Sequence, residues 1–113
     1  MDWDEYKTFI KGKLFLVGLS FYDSDQKLLE QYQTSGTAEE LTDTGILVLK
    51  RTDGGFFAIP YDNEAISNAR PGDYTEHSTG IVIKDPDFII SGNVEVKSPD
   101  DIESIKRNGF YPA

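Results

Sequence analysis

"GILVLKRTDGGFFAIPY", Gly45 to Tyr61, carries the reading that decides the fold. Ile46 to Leu49 is a continuous β-branched and aliphatic run, and Phe56 to Ile59 is a second apolar run. Between them Asp53-Gly54-Gly55 supplies the positive φ angles that tight hairpin turns need. The segment is therefore predicted to be a β-hairpin. Pro60 ends its second strand, because proline has no N–H to give to a ladder.

Upstream, residues 13–22, "KLFLVGLSFY", place Phe15, Val17, Leu19 and Phe21 on one face, while Leu14 and Leu16 make the other face apolar at its start. That pattern predicts a strand covered on both sides early on. "LLEQYQTSG" follows as a polar, β-compatible strand, so "DSDQ" between the two must reverse the chain. Its alternating acids invite comparison with a calcium loop. Such a loop needs a Gly at its sixth position and a bidentate Glu at its twelfth, whereas here Lys27 follows Asp25 and Glu30 comes too soon. The turn reading prevails, and no metal site is expected. In the strand after it, Glu30 and Tyr32 share one face and Gln31 and Gln33 the other, a polar strand that faces solvent or a groove.

Residues 37–45, "TAEELTDTG", read as a polar acidic connection into the hairpin. Beyond the hairpin, "YDNEAISNA" predicts one short helical turn with Asp62 as N-cap, and "RPGDY" a turn centred on Pro71 and Gly72. "YTEHSTGIVI" and "DFIISGNVEVK" then read as two strands separated by "KDPD". In the second, Phe88, Ile90, Val94 and Val96 share one face with Gly92, the alternation of a half-buried antiparallel strand. Gly18 and Gly92 inside strands predict bends or bulges.

The two ends differ in character. "SPDDIESIKRNGF" has Ser98 as N-cap, Pro99 at the first helical position, acids in the first turn, Lys106 and Arg107 in the last, and Asn108-Gly109 as the stop. This predicts a helix over 98–109, with Phe110 and Tyr111 packing behind it. Residues 1–12 form either a short helix with Trp3, Tyr6 and Ile10 facing inward or an extended lead. The chain of 113 residues is thus expected to be one domain, mainly β. Residues 13–97 are expected to form a small antiparallel curled sheet or SH3-like β-barrel, with sequential strands as neighbours and the C-terminal helix across one open end.

Composition narrows the function. The chain has no cysteine, which removes disulfides, thiolate zinc sites and cysteine nucleophiles. No apolar run approaches the roughly 20 residues of a membrane helix. The N-terminus carries acids where a secretory signal carries bases, so a cytoplasmic location is expected and no membrane association. Twenty acidic residues against 11 basic ones give a net charge of -9, which repels phosphate backbones and disfavours nucleic acid. A cationic protein is attracted by the same field.

Catalytic patterns are not found. His77 is the single histidine, and its sequence neighbours Glu76 and Ser78 fall on the opposite face of an extended strand. "GLSF" is not a nucleophile elbow, and "TDGGFF" leads into a strand rather than a phosphate-binding helix. The acid pairs Glu39-Glu40 and Asp100-Asp101 read as solvated or helix N-terminal charges. No enzyme and no cofactor is expected.

Several motifs together resemble a group of small, uncharacterised bacterial proteins. They are Val17-Gly18-Leu19, Glu30-Gln31-Tyr32-Gln33 ending at Gly36, the Ile59-Pro60 step, the Pro71-Gly72-Asp73-Tyr74 turn and Thr79-Gly80-Ile81-Val82 leading to Asp87-Phe88, over residues 14–96. The resemblance implies a small β-barrel and, for some members, an immunity protein that neutralises a bacterial toxin; it implies no catalytic residues. The chain departs from the pattern at Tyr61, where a second proline is usual, and at Gly92, where an aromatic is usual. Charge, missing catalytic groups and resemblance together predict a non-enzymatic binding protein that blocks a cationic toxin. Its expected face comprises Glu39, Glu40 and Asp43 with Asp62 and Glu64, and Tyr61 as aromatic anchor. The alternative is a structural or regulatory barrel module that joins a larger assembly through an apolar patch or strand edge.

Overall fold

The hairpin forms as its sequence dictates in a computed structural model that describes residues 2–77 and 79–110. Strand β3 (Ile46–Lys50) pairs antiparallel with β4 (Phe56–Pro60) in continuous register from Ile46 opposite Pro60 to Lys50 opposite Phe56, with Gly54 at φ 88° in the turn. Two earlier strands, β1 (Leu14–Tyr22) and β2 (Leu28–Leu41), also pair antiparallel, and "DSDQ" turns between them. Asp23 shapes that turn by accepting at Oδ1 from the N–H groups of Asp25 and Lys27 at 2.9 and 3.0 Å.

Strand β2 is longer than its sequence suggests. The acidic stretch expected as a connection is its second half, paired with β3, and the true loop is only residues 42–45. The register shifts between Ala38 and Glu40, so Glu39 is an extra, bulged residue. Ala38 and Leu41 are both buried while Glu39 and Glu40 are exposed, a pattern that hides the strand from a period-two reading.

The segment after the hairpin makes one hydrogen-bonded turn capped by Asp62, short of a helix. Asp62 Oδ1 accepts from Glu64 N–H at 2.9 Å, its carbonyl accepts from Ala65 N–H at 3.0 Å, and β5 (Ile66–Asn68) follows. "YTEHSTGIVI" is likewise two strands rather than one. Strands β6 (Asp73–Thr75) and β7 (Val82–Lys84) form a separate two-stranded sheet, and the chain reverses between them with Gly80 at φ 76°. Ser78 in this reversal lies outside the described residues, as does Tyr111.

The last strand, β8 (Phe88–Glu95), pairs parallel with β1 and antiparallel with β5. The main sheet is therefore mixed, in the order β4-β3-β2-β1-β8-β5, which corrects the expected sequential antiparallel arrangement. Its outer strands β4 and β5 do not pair with each other among the described residues, so the sheet is open and not a closed SH3-like barrel.

One face of this sheet carries the core. Phe15, Val17, Leu19 and Phe21 of β1 join Leu47, Leu49, Phe57, Ile59 and Ile90, all buried. Full burial of each large side chain contributes roughly 1.5–3 kcal/mol. Helix α1 (Trp3–Ile10) adds buried Ile10, and α2 (Pro99–Asn108) adds Ile102. α2 follows its sequence signals: Asp101 accepts from the Ser98 N–H at 3.2 Å, and Gly109 closes the helix. Its last carbonyls accept from the guanidinium of Arg51, 2.7 Å to Lys106 O and 3.3 Å to Arg107 O, and that group also lies over the Phe57 ring. Phe110 packs against the core as expected. Trp3 does not face inward; it is 40% exposed.

Candidate interaction surface

Helix α1 places the first candidate site. Asp2 caps it by accepting from the Glu5 N–H at 2.8 Å, and Asp4 and Glu5 in the first turn suit the positive end of the helix dipole. Ile10 anchors the last turn of the helix in the core, while Trp3, on the same stripe in the first turn and one turn from Lys7, is 40% exposed. The Lys7 ammonium donates to the Asp43 carboxylate, and this bond holds the Asp43 pKa below the usual carboxylate range and raises that of Lys7. The Asp43 carboxylate is largely exposed and the Lys7 side chain half-buried, so water screens the pair and it adds little stability.

Tyr61 stands beside this pair. Its N–H donates to the Gly45 carbonyl at 2.8 Å, which brings the end of β4 to the start of β3. Its ring meets Trp3 edge-on at 6.2 Å and Tyr6 edge-on at 5.6 Å, and its hydroxyl donates to the Tyr6 hydroxyl. Burial, reinforced by that bond, pushes the Tyr61 phenol pKa upward. Glu39 and Glu40 line a shallow depression of about 470 Å³ with Asp4, Lys7 and Lys11 of the helix side.

The structure thus gathers Glu39, Glu40, Asp43 and Tyr61 around α1. Asp62 follows Tyr61 directly, with one carboxylate oxygen committed to its turn, and Glu64 is exposed within that turn. Sequence reasoning missed Trp3 as a surface residue, and it missed Asp4, Lys7 and Lys11. The four-residue spacing that puts Trp3 beside Lys7 on the helix was the available signal for those two.

A second candidate lies on the sheet face opposite the core. Gly18 and Ser20 of β1, Gln31 and Gln33 of β2, and Ser91 and Asn93 of β8 line a groove of about 500 Å³, with His77 at its rim. Gln31 donates to Ser20 Oγ at 3.4 Å, and the Gln33 Oε1 accepts from the His77 N–H at 3.0 Å. The face division expected for Glu30 to Gln33 holds. Glu30 and Tyr32 turn to α2, where Lys106 donates to Glu30 at 2.7 Å and the Tyr32 hydroxyl to the Lys106 carbonyl at 3.3 Å.

His77 is exposed, and the acid beside it in sequence serves the fold. Glu76 is buried, and its carboxylate accepts from Ser35 and Thr79. Among the described residues no group of three or more His, Cys, Asp or Glu is placed to hold a metal ion, and no helix is long and apolar enough to cross a membrane. No protein-family model matches the chain, and no curated protein and no solved structure is similar enough to be matched to it.

Proposed function

We propose that this is a non-enzymatic protein-binding domain that engages a basic protein through the edge formed by α1, the bulge of β2 and the end of β4. In its most concrete form it is a cytoplasmic immunity protein that occupies the cationic groove of a toxin, presenting carboxylates where the toxin expects phosphates. The observation that supports this reading is the Trp3–Tyr61 pair, with Trp3 exposed and Tyr61 half-buried, beside Asp4, Asp43 and Asp62 and next to the depression lined by Glu39 and Glu40. Interface energy concentrates in a few aromatic or arginine anchors, while surrounding carboxylates steer the approach of a cationic partner. The net charge of -9 and the resemblance to immunity-like proteins point the same way.

The alternative, a module of a larger assembly, draws on Leu28 and Leu29, 46% and 43% exposed at the start of β2. Apolar docking there is insensitive to salt. Affinity capture with the wild type and with Glu39→Lys/Glu40→Lys/Asp62→Lys separates the two. The proposal expects one basic protein held by the wild type at about 50 mM salt, released at about 500 mM, and not held by the variant. Equal retention by both proteins through high salt excludes the acidic edge and favours the assembly module.

A further inference from the structure

Gly18 lies midway along β1, with β2 on one side and β8 on the other. A glycine weakens a strand interior, and it is ordinarily placed there by a positive φ, by a bulge, or by close approach of another backbone or a ligand. Gly18 has no positive φ. The register passes through it without a break on both sides, opposite Gln33 and opposite Ser91, which also corrects the bulge expected from the sequence. A Cβ built on it meets nothing within 4 Å. Among the described residues nothing calls for a glycine at this point, and close approach of a ligand to the sheet is the remaining reason for one.

The side chains around Gly18 restrict what that molecule is. Ser20, Gln31, Gln33, Ser91 and Asn93 offer hydroxyls and amides with the His77 imidazole at the rim, and among the described residues no carboxylate, ammonium or guanidinium lines the groove. In a chain with 27% charged residues, such a neutral face suits an uncharged ligand, because an ion seated there loses water and gains no counter-charge. These groups stand on three adjacent strands, about 4.8 Å apart across the sheet and about 7 Å apart along it, a two-dimensional array of donors and acceptors. Hydroxyls around a sugar ring match an array of that kind. An extended peptide asks instead for recesses to take alternate side chains. The groove of about 500 Å³ is of small-ligand size.

The geometry points to an uncharged saccharide of one or two units, seated on Gly18 and held by the amides and hydroxyls of β1, β2 and β8. The groove shares no lining residue with the depression at the acidic edge, so this inference stands or falls separately from the protein-binding reading.

The test is amide chemical-shift mapping of the full chain titrated to about 20 mM with maltose, with chitobiose and, as a charged control, with glucose 6-phosphate. One neutral disaccharide is expected to shift residues 18–20, 31–33 and 91–93 while the phosphate ester does not. Gly18→Leu, whose side chain enters open space, is expected to abolish the shifts, and Gln31→Ala/Asn93→Ala to weaken binding on the order of tenfold. The inference is overturned if neither disaccharide shifts these amides, if Gly18→Leu retains the shifts, or if an acetyl-Gly-Ser-Gly-Ser-amide peptide shifts them where the sugars do not.

Discussion

The Ser35 hydroxyl donates to Glu76 Oε2 at 2.9 Å, and both residues are buried. This bond fastens the β6–β7 hairpin, a separate sheet, to the outer face of β2. Ser35→Ala removes one of the hydroxyls that donate to the carboxylate, at an expected cost of about 1.5–3 kcal/mol. Urea unfolding with an unchanged slope and a lowered midpoint is the expected result. A midpoint equal to that of the wild type means that the hairpin is held by other contacts.

Tyr61 makes the alkaline limb of stability testable. Burial, then the Tyr6 hydrogen bond, raises its folded-state pKa above the ordinary 10.0. The stability this represents is full below about pH 10 and is lost as the pH rises beyond it, because the unfolded chain ionises first. Tyr61→Phe should cost roughly 0.5–1.5 kcal/mol at neutral pH and lose less stability than the wild type above pH ~10. Parallel losses of the two proteins at alkaline pH exclude a perturbed Tyr61.

Gly109 cannot be replaced without cost. It has φ 84°, and a Cβ there lies 2.1 Å from the Ala58 carbonyl oxygen, the same oxygen that accepts from the Phe110 N–H at 2.8 Å. Gly109→Ala should lose about 1–3 kcal/mol or more in thermal unfolding, through strain and loss of the seam between α2 and β4.

Gly18 predicts the opposite sign. Gly18→Ala fills open space at an ordinary extended backbone, so it should stabilise the free protein by about 0.5–1 kcal/mol. A destabilised variant implies that the backbone at Gly18 is used by the fold itself.

What the sequence showed and what it hid divide along local and nonlocal physics. The β3–β4 hairpin was legible because Asp53-Gly54-Gly55 writes its own turn, and α2 because Ser98, Pro99, Asp101 and Gly109 write both its ends. The parallel pairing of β1 with β8 was not, since alternation in Phe88 to Val96 gives the buried face but not the partner strand. Strand β2 was read short because the bulge at Glu39 breaks the alternation, and β6–β7 was merged because Gly80 alone marked its turn. At the acidic edge, the charges of Glu39, Glu40 and Asp43 were plain. The ammonium of Lys7 among them, and the ring of Trp3 on Tyr61, come from α1 docking across a long chain separation.

A basic protein, on the reading proposed above, docks on the acidic edge around Trp3 and Tyr61. The most direct test of that docking is amide chemical-shift mapping of the protein with the partner recovered at low salt. Perturbations are expected to centre on Trp3, Lys7, Glu39, Glu40, Asp43, Tyr61 and Asp62 and to fade as salt rises from about 50 to about 500 mM. Perturbations centred on Leu28 and Leu29 that persist at high salt would contradict it.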